Sequence, residues 1–227
     1  MQTRTLQIGD SAPDFVLPAV NREGLVSLVD YRAKGAVLVA LFRGLHCPFC
    51  RRQITRLSAT QEFLAREGVE TVAIVNTPPE RARQYFQYRP TRLVLAADPE
   101  VQTHRAFGLW ETTVLADDTD PSQVRWPETT TMARFIQVTT TTRTELPEAM
   151  NIFAAMEALN KKDGFEMTEA DQRIAEVHGM QGTGHFLIDA AGTVRWSFIE
   201  AADQPEQVCR FPGDDEIIAA ARELNRH

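Results

Sequence analysis

The fold is decided by residues 36–50, which are AVLVALFRGLHCPFC. The first seven form a continuous apolar run rich in valine and leucine, which is typical of a strand buried on both faces in a parallel sheet. From Cys50 onward apolar side chains recur every three or four residues up to Gly68, which predicts an amphipathic helix. Pro48 suits the first turn of that helix, where its missing N–H costs nothing. The sequence therefore predicts a strand and a helix joined by a loop that carries two cysteines.

Further elements are predicted on both sides of this unit. Additional strands are expected at residues 15–17, 26–28, 71–75, 93–96, 185–189 and 193–198. Additional helices are expected at residues 78–88 and from Asp214 onward. The last two strands are joined by Ala-Ala-Gly and predict a hairpin. This order predicts an α/β protein with a central mixed β-sheet flanked by helices.

Residues 110–184 separate the two halves of this pattern and hold five of the six methionines. Two helices are predicted inside this stretch. The first opens at Pro147 and closes at Gly164, and the second begins with a capping box at Thr168 and ends at Gly179. We expect a single domain, residues 1–227, interrupted by this mainly helical insert. The insert either packs its helices against the sheet or forms a lid or dimer arm beside the cysteines. If it is a dimer arm, the protein is a homodimer.

Composition excludes several classes of protein. With 43% hydrophobic and 24% charged residues, the chain is neither globally disordered nor fibrous. A formal net charge of -7 gives no general attraction to nucleic acid or anionic lipid. No apolar run approaches the roughly 20 residues needed to cross a bilayer. Because the first residues also lack the apolar core of a secretory signal, we expect a cytoplasmic protein without nucleic-acid or membrane partners.

Cys47 and Cys50 are the strongest candidates for chemistry. A Cys-x-x-Cys pair between a strand and a helix indicates redox chemistry in a cytosolic chain. A cysteine in the first helical turn faces unpaired N–H groups and the positive end of the helix dipole, which stabilise its thiolate. The spacing also brings both sulfurs close enough for a disulfide. Arg43 and His46 are candidates to add positive potential.

Other interpretations of the cysteines stay open. Cys-x-x-Cys can be half of a zinc site, although Cys209 stands alone and the histidines are scattered. The pair can also be structural, or can serve a non-enzymatic redox sensor. Cys209 is either a third redox partner or a spare half-buried thiol. We expect no metal and no organic cofactor.

Four ordered segments carry a family resemblance: GDSAPDF at residues 9–15, LFRGLHCPFC at 41–50, residues 97–108, and FLIDAAG at 186–192. They resemble the peroxiredoxin-like branch of the alkyl hydroperoxide reductase and thiol-specific antioxidant (AhpC/TSA) family. The resemblance spans all of the chain except the insert. It implies a thioredoxin-like fold and an antioxidant thiol peroxidase or oxidoreductase with a redox-active disulfide.

The chain departs from the family's peroxidase motif. That motif places a proline and a threonine seven and three residues before the peroxidatic cysteine, but counting back from Cys50 gives Arg43 and Cys47. Thr183 stands where the arginine of peroxidases or the cis-proline of thioredoxins is expected. Stabilisation of the breaking O–O bond is therefore assigned to Arg43, His46 or His185. The side chains expected to line the site are Pro48, Phe49, Thr183 and His185. The alternative interpretation of His185 is a core histidine whose ring nitrogens are hydrogen-bonded.

Two mechanisms compete on the same two sulfurs. In a peroxidase, Cys50 attacks a hydroperoxide and its sulfenic acid condenses with Cys47. In a thiol–disulfide oxidoreductase, Cys47, at an exposed position ahead of the helix, attacks a disulfide and Cys50 resolves it. The Cys-Pro-Phe-Cys sequence also resembles glutaredoxins and favours the second mechanism. The family resemblance favours the first, with thioredoxin, glutaredoxin or a small thiol as reductant.

Overall fold

The regular elements follow the predicted α/β order. A computed structural model of the chain describes residues 4–32, 34–140, 145–146, 148–224 and 226. The strands are β1 (Val16–Pro18), β2 (Leu25–Ser27), β3 (Ala36–Phe42), β4 (Val69–Val75), β5 (Val94–Ala97), β6 (Thr113–Leu115), β7 (Thr129–Thr131), β8 (Thr139–Thr140), β9 (Met150–Asn151), β10 (Gly184–Ile188) and β11 (Val194–Ile199). The α-helices are α1 (Val29–Arg32), α2 (Pro48–Arg66), α3 (Pro79–Tyr88), α4 (Gln102–Ala106), α5 (Met132–Phe135), α6 (Ile152–Asp163), α7 (Glu169–His178) and α8 (Asp214–Leu224). Within the described ranges, no helix is both long and apolar enough to cross a membrane.

The centre of the fold is a five-stranded sheet in the order β11-β10-β3-β4-β5. The strands β3, β4 and β5 are parallel, whereas β10 runs antiparallel to both β3 and β11. The sheet is therefore mixed, as predicted. The strand β3 lies in its middle with six of its seven residues buried, which explains its continuous apolar sequence.

The side chains of β3 alternate between two hydrophobic cores, because successive residues of a strand point to opposite faces. On one face, Leu38, Ala40 and Phe42 pack with residues of α2, α3, α6 and α8. On the other face, the remaining buried β3 residues pack with β1, β2, α1 and the segment after α4. The sheet is thus covered on both sides, and α2 follows directly from its central strand.

The helix α2 begins and ends where its sequence favours it. Cys47 is the N-cap and Pro48 occupies the first helical position, where no N–H is needed. The helix ends before Gly68, whose φ of 72° lies in the left-handed region that glycine adopts without a steric penalty. This arrangement sets the two cysteines at the carboxyl end of β3.

The insert contains more strand than predicted. Two small sheets lie in it, with β6 parallel to β7 and β8 antiparallel to β9. The two predicted helices are present as α6 and α7, and Thr168 forms the predicted capping box with Asp171. Pro147, expected to open the first helix, lies outside the described residues. Asn151 caps α6, since its Oδ1 accepts hydrogen bonds from two N–H groups of the first turn.

Part of the insert packs in the core that also holds the cysteines. Leu146, Ala155 and Leu159 belong to the same buried cluster as Cys47 and Cys50. A separate cluster joins other insert side chains to the chain after β11; its buried members are Trp110, Phe135, Val138, Ile152, Ala201 and Val208. These contacts favour the core-packing interpretation of the insert. The single-domain boundary itself stays a prediction.

Two arginines of α2 anchor the end of α6. Arg51 Nη2 donates to Asp163 Oδ2 at 2.7 Å, and Arg52 Nη2 donates to Oδ1 at 2.7 Å. The Arg51 guanidinium also lies 4.0 Å from the Phe165 ring centroid and donates to the carbonyl of Leu45. The insert is therefore tied to the first turns of the cysteine-bearing helix and to the loop before it.

We expect Asp163→Asn to lower the free energy of unfolding by about 1–3 kcal/mol at neutral pH, because Arg51 stays buried without its carboxylate. Burial by itself raises the pKa of Asp163, but hydrogen bonds from Arg52 and Arg51 hold this pKa below 3.8. A carboxylate with a lowered folded pKa stabilises the protein above its unfolded pKa and loses that effect as the pH falls through the folded value. The stability gap between wild type and variant should therefore be constant above about pH 5 and close below pH 3.8.

Urea denaturation at a series of pH values measures this gap. Glu157→Gln, on the exposed face of α6, is the matched control and should change stability by less than about 0.5 kcal/mol. A gap that does not depend on pH would contradict the anchoring role of Asp163.

Candidate redox site

Cys47 and Cys50 are free thiols within the protein interior. The Sγ of Cys47 accepts a hydrogen bond from the backbone N–H of Cys50 at 3.3 Å. Each of the two side chains is only 1% exposed. The expectation of an exposed Cys47 ahead of the helix is therefore wrong. The physical reason is that both cysteines belong to a buried cluster to which the insert and the carboxyl-terminal helix also contribute side chains.

Cys209 lies against the pair instead of standing apart from it. Its side chain packs against the buried cluster that contains Cys47 and Cys50, although Cys209 and Cys47 are 162 positions apart in the sequence. Unlike the pair, Cys209 is half-buried. Both Cys209 and Cys50 contribute to the lowered pKa of Cys47. Within the described part of the chain, no group of three or more His, Cys, Asp or Glu residues is arranged to hold a metal ion.

A buried ion pair between Arg43 and Glu200 adjoins the sulfurs. Arg43 Nη1 donates to Oε1 at 3.0 Å and Nη2 lies 2.9 Å from Oε2. Glu200 Oε2 also accepts from the N–H and the hydroxyl of Thr183, at 3.1 and 2.9 Å, and Oε1 accepts from the N–H of Cys209. Glu200 therefore joins the end of β3, the start of β10 and the Cys209 loop. Glu200 was not predicted as a site residue. The one feature of the sequence that could have indicated it is the position of an acidic residue directly after a predicted strand.

The environments of the three sulfurs favour the thiolate on Cys47. Burial by itself raises the pKa of Cys47. Hydrogen bonds from Cys209 and Cys50 and the charge of Arg43 outweigh this effect and hold the pKa of Cys47 well below 9.0. Burial and the neighbouring Cys47 raise the pKa of Cys50 well above 9.0, and the same two causes raise the pKa of Cys209. This distribution is opposite to the peroxidase scheme in which Cys50 attacks.

The two candidate histidines are neutral. Burial lowers the pKa of His46, which disfavours its charged form and makes it a weaker source of positive potential than Arg43. Burial also lowers the pKa of His185 to about 3. The His185 ring packs edge-on against Phe42 and Phe211, with centroids 5.3 and 6.0 Å apart. It is a core histidine, but not a satisfied one, because neither ring nitrogen has a hydrogen-bond partner among the described residues. The same holds for both nitrogens of His46.

The remaining predicted side chains also lie close to this end of the sheet. Pro48 forms the first position of α2, and Phe49 belongs to the buried cluster of the cysteines. Thr183 is buried and bonded to Glu200, so its hydroxyl is already engaged. Among the predicted site residues, the positive charge beside the sulfurs is thus supplied by Arg43.

This fold, with a thiolate-stabilising Cys-x-x-Cys at the end of its central strand, defines a thiol-dependent redox protein. The chain matches the model of the AhpC/TSA family over residues 8–197. It therefore belongs to the AhpC/TSA family, as the sequence indicated. No curated protein sequence matches the chain.

Two solved peroxiredoxin structures share the fold. Peroxidoxin BcpB from Mycobacterium tuberculosis is 14% identical, with a TM-score of 0.55 over 96% of this chain and 98% of that chain. The reduced 2-Cys peroxiredoxin from Plasmodium vivax is 14% identical, with a TM-score of 0.58 over 97% of this chain and 82% of that chain. At this identity the likeness concerns the fold, and it confirms the predicted thioredoxin-like architecture.

We expect ultraviolet thiolate absorbance to reveal one thiolate that persists well below pH 9.0, because the pKa of Cys47 is lowered. Cys47→Ser should remove this signal. Cys50→Ser should retain it, since the serine hydroxyl can still donate a hydrogen bond to the Cys47 sulfur. Survival of the signal in Cys47→Ser would assign the thiolate to another cysteine.

Arg43→Gln should lower the free energy of unfolding by about 3–5 kcal/mol, because Glu200 is left buried with an unpaired charge. In a double-mutant cycle, the combined variant Arg43→Gln/Glu200→Gln should recover part of this loss, since two neutral amides can bond to each other. Urea denaturation measures both, with the exposed Arg134→Gln of α5 as control. Strictly additive effects would show that the two side chains are not energetically coupled.

Proposed function

We propose that this protein reduces hydroperoxides, with Cys47 as the attacking thiolate and Cys50 as the resolving cysteine. The observation that carries the proposal is a cysteine that is 1% exposed and yet has a lowered pKa beside the Arg43 guanidinium. Lowered pKa values of buried thiols cluster at functional sites, where the thiolate is the nucleophile, and this favours Cys47 as the reacting cysteine. This assigns the two cysteines roles opposite to those in the family-based scheme.

Burial favours a small oxidant over a protein disulfide. Attack on a disulfide needs the substrate sulfur in line with the Cys47 sulfur. Leu146 and Leu159 of the insert share one buried cluster with Cys47, so a protein substrate would have to displace packed side chains. The peroxide group of a hydroperoxide consists of two oxygens and needs far less room.

The proposed reaction has two steps. The Cys47 thiolate attacks the terminal peroxide oxygen, the O–O bond breaks, and the departing alkoxide or hydroxide takes up a proton, which leaves Cys47 as a sulfenic acid. The Cys50 thiol then attacks the Cys47 sulfur, water departs, and the Cys47–Cys50 disulfide forms. Arg43 stabilises the negative charge that develops on the departing oxygen. A neutral His46, with both ring nitrogens unpartnered among the described residues, is suited to pass the proton.

Disulfide reduction is a second candidate function. It is favoured by the N-cap position of Cys47, because the amino-terminal cysteine of the pair is the attacking one in the exchange scheme. Small disulfides, which need less displacement than proteins, are then the expected substrates. Thioredoxin, glutaredoxin or a small thiol would re-reduce the enzyme in either case. We further propose that the protein is located in the cytoplasm. A homodimer is compatible with both candidate functions.

The test is turnover of purified protein with hydrogen peroxide, an organic hydroperoxide and a small disulfide, coupled to a thioredoxin system. We expect hydroperoxides to be the better substrates and Cys47→Ser to be inactive with all three, because it lacks the nucleophile. Without reductant, Cys50→Ser should still consume one equivalent of peroxide per chain, since the first step needs only Cys47.

Turnover by Cys47→Ser would overturn the assignment of the nucleophile. Faster turnover of the disulfide than of either hydroperoxide would favour the second candidate. Consumption of one equivalent without turnover in the wild type, with every reductant, would indicate a redox sensor.

A further inference from the structure

The structure points to Cys209 as the sulfur that takes over the disulfide from the buried pair and presents it to the external reductant. We propose that a Cys47–Cys209 disulfide is an obligate intermediate of the catalytic cycle. This inference rests on the proposed function, since it concerns how the oxidised pair is re-reduced.

The position of Cys209 carries the first step. Cys209 packs against the buried cluster that contains Cys47. It also contributes to the lowered pKa of the Cys47 thiol, the group that an exchange reaction would attack. The backbone N–H of Cys209 donates to Glu200 Oε1, and Arg43 Nη1 donates to the same oxygen. The carboxylate that pairs with Arg43 thus also holds the Cys209 loop.

The exposure of the three sulfurs carries the second step. Cys47 and Cys50 are 1% exposed, whereas Cys209 is half-buried. It lies between the Pro205–Gln207 turn and α8, outside both α2 and the insert. A reductant that attacked the Cys47–Cys50 disulfide directly would have to enter the packed core. A reductant that attacks Cys209 needs access only to the loop that follows the Pro205–Gln207 turn.

Charge favours the transfer once the pair is oxidised. In the reduced protein, burial and the neighbouring Cys47 keep the pKa of Cys209 high. A disulfide at Cys47 carries no charge, so that contribution disappears. Arg43, which lies within electrostatic reach of Cys47, Cys50 and Cys209, then stabilises whichever sulfur is ionised.

The exchange balances without a further oxidant. The Cys209 thiol loses its proton and attacks the Cys47 sulfur, so that the Cys47–Cys209 bond forms. The Cys47–Cys50 bond breaks, and its electron pair goes to Cys50, which takes up a proton. An external thiol then attacks the Cys209 sulfur and releases Cys47 as the thiolate. A second external thiol displaces Cys209 from the mixed disulfide, which yields the oxidised reductant and a free Cys209 thiol.

The first experiment separates the oxidation of the pair from its re-reduction. Cys209→Ser should consume one equivalent of hydrogen peroxide and form the Cys47–Cys50 disulfide as the wild type does. Its steady-state turnover with a thioredoxin system should fall by about tenfold or more, because the least buried of the three cysteines is lost as exchange partner. Glu206→Ala, an exposed residue of the same loop, is the matched control and should turn over normally.

The second experiment traps the intermediate. After one equivalent of hydrogen peroxide, non-reducing peptide mapping by mass spectrometry should find a Cys47–Cys209 disulfide in Cys50→Ser. In Cys50→Ser/Cys209→Ser, Cys47 should remain a sulfenic acid that reacts with dimedone. Normal steady-state turnover of Cys209→Ser, or no Cys47–Cys209 disulfide in Cys50→Ser, would overturn the inference.

A third measurement keeps the inference separate from the proposed function. If the wild type does not react with hydroperoxides, the proposed function fails, but the thiol oxidant diamide can still oxidise the protein. Reduction of the diamide-treated wild type by thioredoxin should then be faster than reduction of diamide-treated Cys209→Ser. Equal rates would overturn the role of Cys209 whatever the natural oxidant is.

Discussion

The ion pair between Arg43 and Glu200 is the interaction on which the site depends. Two charges removed from water cost several kcal/mol each unless their geometry is close and their remaining hydrogen-bonding groups are satisfied. Glu200 meets this requirement with four hydrogen bonds, one from Arg43, two from Thr183 and one from Cys209, and with a second ion-pair contact to Arg43. The pair keeps a guanidinium in the low-dielectric interior, where its attraction for a thiolate is stronger than at the surface. The same carboxylate fixes two loops that are far apart in sequence.

Local sequence patterns were sufficient for the central elements. The apolar run of β3, the period of α2 and the capping box of α7 are all encoded within a few residues, so their positions were predictable. The small sheets of the insert were missed because their strands, such as TTT in β7, TT in β8 and MN in β9, hold too few apolar residues to form a pattern. Glu200 was missed because its partner Arg43 lies 157 residues away and no spacing rule joins them.

The errors about the site have one common cause, which is burial. His46 was a candidate to add positive potential, and Cys47 was expected to be exposed because it lies ahead of the helix. Tertiary packing encloses both, and enclosure makes the imidazole neutral. It also turns Cys209 from an isolated cysteine in the sequence into a neighbour of Cys47. A pattern of residues predicts which groups can react, but only the packed chain determines their protonation.

The guanidinium of Arg51 links the loop before Cys47 to the insert. One of its nitrogens bonds to Leu45, two residues before Cys47, and another bonds to Asp163 of the insert. An outward displacement of the insert would break the bond to Asp163 and release one restraint on Arg51, which also bonds to the Leu45 carbonyl. The segment before Cys47 would then be held less firmly. A molecule large enough to displace the insert would therefore meet a less ordered nucleophile.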